Sequence, residues 1–408
     1  FDTCCRSHTR KPMECWSDDA EVVGSYERCC FPALPAVLAS GSSASPAWAE
    51  VARAKDLQPW TQGVSRTDVA AFYASLPAID PQERRQDTPN RSSLFRFVVS
   101  EGVLQDLSRS ELVFAEDMGS TRSFASVLQF LKRILGRDVL PNGLDFIFVQ
   151  GHMNCVRGLD ICSRFGLQPM QKPMEIGDVI ESACELPVPI ITFGRCFADN
   201  ALRVPHEAHL TGMGRYDLEV LAHAELIPWP AKSPVLFWRG TAPVEFYWQL
   251  LPGTTPYERF LQSARGRLVA LSAMDRSQWL DARFSDVPES SALDPDLRGA
   301  LQQLYLGPWT EQTEWLSRRY LLHIEGQYGS YSFGLGWKLL SGCLLFYTGS
   351  PAQDVWLHPG LEAWRHYVPV MANLSDLEVK LRWAEDHERE ARRIVTRALH
   401  FGLRDLSW

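Results

Sequence analysis

No apolar run in the 408-residue chain approaches the roughly 18 residues that a membrane-crossing helix needs. A basic surplus is missing as well. Lys and Arg number 41 against 49 Asp and Glu, a net charge of −8, which is the wrong sign for a protein that wraps nucleic acid. A few local basic groups are still enough to hold a phosphate. Lysine is scarce, with seven residues in the chain. There is no G-x-x-x-x-G-K-[ST] run and no spaced G-x-G-x-x-G, so the familiar Gly-rich phosphate signatures are excluded. No internal repeat of about 20–50 residues is present, and only the small-residue stretch at 38–46 is of low complexity, which reads as a linker.

What the chain does have is an ordinary globular composition, 45% apolar and 22% charged, and a length that suggests two domains. Its ten cysteines are unevenly spread. Cys4, Cys5, Cys15, Cys29 and Cys30 fall within the first thirty residues. A zinc knot with His8 as a further ligand is one reading, although structural zinc sites draw on C-x₂₋₄-C pairs and adjacent cysteines fit that spacing poorly. A disulfide-tied head in an oxidising compartment is the other. Five is an odd number, so one cysteine is free or pairs outside the head, with Cys155, Cys162, Cys184 or Cys196 as partners. Sequons at Asn90 and Asn373 suit a secretory route. The chain opens on Phe1, so a signal peptide or anchor is expected to have been removed or to go unrecorded.

Apolar periodicity predicts a helix over 123–135, stopped by Gly136. Continuous apolar runs of strand length occur at 145–149, 190–193, 235–238, 267–271, 320–324, 344–347 and 367–370. Helical stretches separate several of them, which predicts mostly parallel sheets covered on both faces. A final helix is expected behind an S-x-x-E capping box of Ser375 and Glu378. Its apolar stripe is Leu377, Leu381, Ala384, Ala391, Ile394, Val395 and Ala398. The expected class is α/β, with two halves joined near 214–232. The expected division is a cysteine-rich head and linker over 1–46, an N-terminal α/β domain over 47–225 and a C-terminal α/β domain over 226–408.

Two stretches carry chemistry. Residues 324–332 run Ile-Glu-Gly-Gln-Tyr-Gly-Ser-Tyr-Ser between a strand and a predicted helix at 333–340. Small residues there let a backbone approach a ligand, and a helix beginning at Ser332 would offer unpaired N–H groups to a phosphate. An ordinary strand–turn–helix corner reads the same way. At the end of another strand, Phe237-Trp-Arg-Gly places Arg239 beside Gly240. A guanidinium there can fork onto a diphosphate, or it can simply be ion-paired.

Taken together, these two stretches, Leu339-Leu-Ser-Gly, Trp356, His366-Tyr-Val-Pro-Val and Leu374-Ser-Asp-Leu resemble glycosyltransferase family 90, the capsule-associated (CAP10-like) and Rumi-type protein O-glucosyltransferase family. The resemblance covers about 144–401 and is most specific over the last hundred residues. It implies a GT-B-like fold, with two Rossmann-like domains facing a cleft. It also implies a UDP-sugar donor in the C-terminal half, an inverting transfer of glucose or xylose to a protein or glycan hydroxyl, and neither cofactor nor bound metal. Matched position by position, Arg239 and Gly240 fall at the donor site. Gly329, Ser330, Tyr331, Ser332 and Phe333 form the turn that holds diphosphate and uridine. Asp354 and Trp356 fall near an acidic-Trp element, and His366 and Tyr367 lie in a structural strand.

Two positions depart from the family pattern. Gly334 stands where relatives carry an arginine, with Lys338 one turn on as the substitute cation or as a solvated side chain. Asn154 stands where the catalytic Asp is expected, which leaves His152 and Asp160 as candidate bases. Asp145 opens its strand and is expected to cap it. The implied home is the lumen of the endoplasmic reticulum or Golgi, or outside the cell. The implied partners are a UDP-sugar and a protein or glycan acceptor, with no nucleic acid, and a membrane only through a segment absent from the chain. A silent relative that binds glycans or proteins on the same scaffold is the alternative.

Overall fold

The computed structural model describes residues 47–75, 93–107, 141–150, 187–192, 194–195, 202–203, 214–242, 253, 255–274, 279–287, 295–324, 334–348, 354–355 and 358–405. The predicted helix at 123–135 and the cysteine head lie outside these residues.

The first described elements are helices α1 (Ala47–Leu57) and α2 (Arg66–Ser75), followed by strands β1 (Ser93–Ser100), β2 (Val103–Asp106), β3 (Asp145–Gln150), β4 (Ile190–Thr192), β5 (Gly194–Arg195) and β6 (Leu202–Arg203). Five of these strands form a mixed sheet in the order β2-β1-β3-β4-β6. β1 and β2 make a hairpin whose two turn residues, Glu101 and Gly102, have φ of 53° and 77°. This is the left-handed pair that a two-residue turn needs to match strand twist. Sequence patterning does not order this region, because Arg96 interrupts the apolar run of β1 and β2 is only four residues long. β3 matches its prediction and is buried through Phe146, Ile147 and Phe148. Asp145 at its start is held by Arg96, through Nε at 3.0 Å and Nη2 at 2.8 Å. It is therefore an ion-pair partner across the sheet rather than a strand cap. Asp56 on α1 similarly forks Arg203 on β6, at 2.7 and 2.9 Å, with side chains 8% and 2% exposed.

From Gly214 the chain continues as α3 (Gly214–Leu226), β7 (Ser233–Thr241), α4 (Pro256–Gln262), α5 (Ala264–Met274), β8 (Leu280–Asp286), α6 (Pro295–Tyr305), α7 (Gln312–Trp315), β9 (Arg318–Ile324), α8 (Gly334–Leu340), β10 (Leu344–Thr348), β11 (Asp354–Val355), β12 (Val368–Pro369), α9 (Leu377–Asp386) and α10 (Glu388–Asp405). Strands β12-β10-β9-β7-β8, in that order, form a second sheet in which every pair is parallel. Counted within the sheet, the spatial order is 5-4-3-1-2. Chain order therefore reverses between the adjacent strands β7 and β9.

Helices cover both faces of this sheet. On one face, Phe260, Leu268, Leu297, Leu301, Leu377 and Leu381 pack against Leu236, Trp238 and Phe284. On the other, Val220, Trp315, Leu335, Trp337 and Phe401 pack against Phe237, Leu321 and Leu345. Helix α10 contributes Ala391 and Ile394 to the first layer and Ala398 and Phe401 to the second; the first three belong to the predicted stripe. The boundary expected near 225 falls at the end of α3, whose Val220 shares this second core. β11 and β5 pair antiparallel in a separate two-stranded sheet, Asp354 opposite Arg195.

Two local expectations are overturned. The apolar run at 267–271 is the middle of helix α5, not a strand. A five-residue apolar run has the same periodicity in a buried helix as in a buried strand. Here it follows the capping box of Thr255 and Glu258, which starts the preceding helix. The strand that actually fills this place is β8, Leu-Asp-Ala-Arg-Phe-Ser-Asp, whose alternating burial marks a sheet edge. The terminal helix is also two helices, broken at His387 (φ −123°, ψ 47°), and α9 has Asp376 at its N-cap with no side-chain cap bond. Starting there puts Glu378 at the second helical position, one short of a capping box. It pairs with Arg382 instead.

Candidate functional site

In an open parallel sheet, the crevice for a ligand lies outside the carboxyl ends of the strands where the chain order reverses. Here that point is the junction of β7 and β9. Arg239 sits near the end of β7 and His323 near the end of β9. The N-terminus of α8, at Gly334, follows β9 in sequence.

Alternation along β7 explains the Phe-Trp-Arg-Gly run. Trp238 and Gly240 face one layer, while Phe237 and Arg239 face the other. A Cβ built on Gly240 would stand 2.6 Å from Trp238 Cζ2, so this glycine makes room for the indole. Arg239 has a side chain only 6% exposed. Its Nη1 donates to the carbonyls of Trp238 (2.9 Å) and Asp281 (3.1 Å), and Nη2 donates to Asp281 Oδ2 at 3.1 Å. Its Cζ lies 4.3 Å from the centre of the Phe237 ring.

Lys338 is not solvated but 5% exposed. Side chains on a helix lean toward its N-terminus, and Nζ accordingly reaches back to within 3.4 Å of where a Cβ on Gly334 would be. The ammonium thus stands beside Gly334, where the resemblance leads to the expectation of an arginine. It donates to Leu322 O at 3.1 Å and lies 3.4 Å from His323 Nδ1. Trp315 and Trp337 flank the ammonium at 5.2 and 5.5 Å. Desolvated cation–ring contacts of this kind contribute about 2 kcal/mol, against a desolvation cost of several kcal/mol for a buried ion. Phe237, Trp315 and Trp337 meet edge to face at 5.1 and 5.2 Å, forming a rigid floor beneath both cations.

His366 has a packing role. Its Nδ1 accepts from Glu362 N at 3.0 Å and its ring stacks on Phe401 at 4.9 Å. Tyr367 meets Tyr347 edge-on, and burial pushes its hydroxyl pKa up. Asp354 lies in β11. His152, Asn154, Asp160, Gly329, Ser330, Tyr331, Ser332, Phe333 and Trp356 lie outside the described residues. Among the described residues no group of three or more His, Cys, Asp or Glu is arranged to hold a metal ion, and no helix is long and apolar enough to cross a membrane.

Sequence reasoning missed two members of the site. His323 was legible as the single polar residue inside the buried run Tyr-Leu-Leu-His-Ile. Asp281 lies on the strand that was missed altogether, and its position beside Arg239 depends on sheet pairing that no local signal carries.

A family model described as glycosyl transferase family 90 matches residues 206–408. Protein O-glucosyltransferase 1 of Rattus norvegicus is 26% identical over 198 residues, 47% of this chain and 43% of that protein. The Homo sapiens protein of the same name is 25% identical over the same length. Protein O-glucosyltransferase 3 of Homo sapiens is 32% identical over 77 residues, 19% of this chain and 15% of that protein. The chain thus matches less than half the length of these relatives. Through residues 206–408, it belongs to glycosyltransferase family 90.

Proposed function

We propose that the protein is a UDP-sugar-dependent, inverting glycosyltransferase that moves glucose or xylose to a hydroxyl of a protein or glycan acceptor. The observation that carries this reading is the pair of cations, Arg239 and Lys338, at the carboxyl ends of parallel strands where chain order reverses. The relatives named protein O-glucosyltransferase supply the acceptor class.

In the mechanism, the acceptor oxygen attacks the anomeric carbon as its bond to the UDP oxygen breaks. The hydroxyl proton passes to a base, His152 or Asp160. Arg239 and Lys338 offset the charge that develops on the leaving diphosphate, an interaction stronger in the transition state than in the ground state. Gly329, Ser330, Tyr331, Ser332 and Phe333 are assigned to the diphosphate and uridine. The donor domain faces an acceptor-side domain across a cleft, in a GT-B arrangement. The reaction uses no metal, and the clustered head cysteines suit disulfides in a secretory lumen.

The test is a panel of UDP-sugars, read by donor hydrolysis and by thermal stabilisation with UDP. Wild type is expected to bind UDP and to turn over one donor slowly, and Arg239→Ala to lose UDP binding. Unchanged affinity in Arg239→Ala would remove that residue from the site. UDP binding without turnover on any acceptor would identify a silent relative, and no UDP binding at all would refute the donor-site reading.

A further inference from the structure

Arg239 has five N–H donors arranged in two forks, one made by Nη1 with Nη2 and the other by Nε with Nη2. The first fork is fully engaged. Nη1 lies 2.9 Å from Asp281 Oδ1, and Nη2 donates to Oδ2 at 3.1 Å. The carbonyls of Trp238 and Asp281 take further bonds from Nη1. The second fork is incomplete, because Nε is enclosed and has no hydrogen-bond partner, as is also the case for Nε of Arg318 and Arg319, which lie at the start of β9 rather than at the carboxyl end of β7. Enclosed donors are almost always paired, and an exception calls for an explanation such as a missing anion. Phe237 covers one face of the guanidinium, so an anion approaching in the guanidinium plane has the Nε–Nη2 fork left to bind.

We propose that Asp281 is the positioning residue of Arg239, holding its Nη1–Nη2 fork so that the Nε–Nη2 fork presents two parallel donors to a phosphate of the nucleoside diphosphate. This inference rests on the donor-site reading above and adds a residue and a binding edge to it. Asp281 is suited to the task by its own setting. It belongs to the edge strand β8, pairs in register with Phe237, and is 33% exposed. Its backbone is therefore fixed by the sheet while its carboxylate remains available. It acts on the ligand only through Arg239. Because Nε is enclosed, seating the phosphate requires a neighbouring side chain to draw back. Bidentate arginine–phosphate bonding depends on coplanarity, and a guanidinium free to rotate about its last torsions would lose it.

The experiment uses the full chain with UDP as the probe. The Arg239 Nε–H resonance, identified by its loss in Arg239→Lys, is expected to shift on addition of UDP to the wild type. Asp281→Asn places an amide N–H against the guanidinium donors and is expected to weaken UDP binding about tenfold. Asp56→Asn breaks a more enclosed arginine pair elsewhere and is expected to lower stability while leaving UDP affinity within about twofold. Asp281→Asn binding UDP as tightly as wild type, or more tightly, would overturn the inference. So would an Nε–H resonance that ignores bound UDP, which decides the matter alone if Asp281→Asn does not fold. A wild type that binds no UDP refutes the functional reading itself, a different result from either of these.

Discussion

Gly240 follows Arg239 in the run that points to the donor site, yet its surroundings assign it to packing. Replacing it with alanine adds one methyl whose carbon would lie 2.6, 3.0 and 3.3 Å from Cζ2, Cη2 and Cε2 of Trp238. Carbon atoms at rest sit about 3.5–4.0 Å apart, so the indole or the strand must move by roughly 1 Å. Trp238 has little room to do so. It is 2% exposed and meets Phe284 edge to face at 6.1 Å, with Arg265 over its ring. Gly240 is not among the glycines with positive φ, so steric overlap and not backbone strain sets the cost. Overpacking of this kind costs about 1–3 kcal/mol. Urea unfolding followed by circular dichroism should show that loss in Gly240→Ala. Trp238→Phe, with its smaller ring, should relieve the overlap, so the double variant should be more stable than the sum of single effects by about 1 kcal/mol. A Gly240→Ala variant as stable as wild type, with UDP binding abolished, would refute this reasoning and return the glycine to the ligand.

Other outcomes follow from buried charges. Asp56→Asn removes one partner of an enclosed ion pair and should cost about 3–5 kcal/mol in urea unfolding, because Arg203 is left uncompensated. Lys338→Met replaces a buried ammonium with an apolar chain of similar shape. Stability should change by less than about 1 kcal/mol, while UDP affinity measured by calorimetry falls. Burial raises the pKa of Tyr305, Tyr320 and Cys343 above their ordinary values, with hydrogen bonds to Tyr257 and Glu385 adding to the tyrosine shifts and Lys232 opposing that of Cys343. In each, the protonated form is favoured by folding. That stability is complete below the unfolded pKa values, about 8.5 for Cys and 10 for Tyr, and is lost as pH rises through the higher folded values. The urea midpoint should therefore fall progressively above about pH 9. A flat profile to pH 11 would contradict the burial of these groups.

Much of the second sheet was legible in the chain. The runs ending in Trp238, Ile324 and Tyr347 are strands because each is an almost wholly apolar segment of strand length, the mark of a parallel strand buried on both faces. The stripe from Leu377 to Ala398 is helical because its spacing keeps one face apolar, and that face is buried as expected. Legibility stopped where the local signal was ambiguous or absent. Residues 267–271 satisfy both helix and strand, and only their packing on β8 against a helix-capped neighbour selects the helix. In the hairpin of β1 and β2, Arg96 interrupts the apolar run of β1 and β2 is only four residues long, so neither stands out.

By itself, the sequence determined that the protein is α/β, that an arginine lies near the end of one buried strand, and that a lysine follows a later strand-to-helix turn. These properties depend on neighbours within a few residues, where periodicity and residue type act directly. Only the tertiary structure decided what those cations touch. Asp281 is 42 residues from Arg239 and reaches it through parallel pairing of β7 with β8. Lys338 reaches His323 because α8 folds back over β9. Contacts between distant segments depend on sheet order and on which face each helix covers, and neither leaves a mark in the residues nearby.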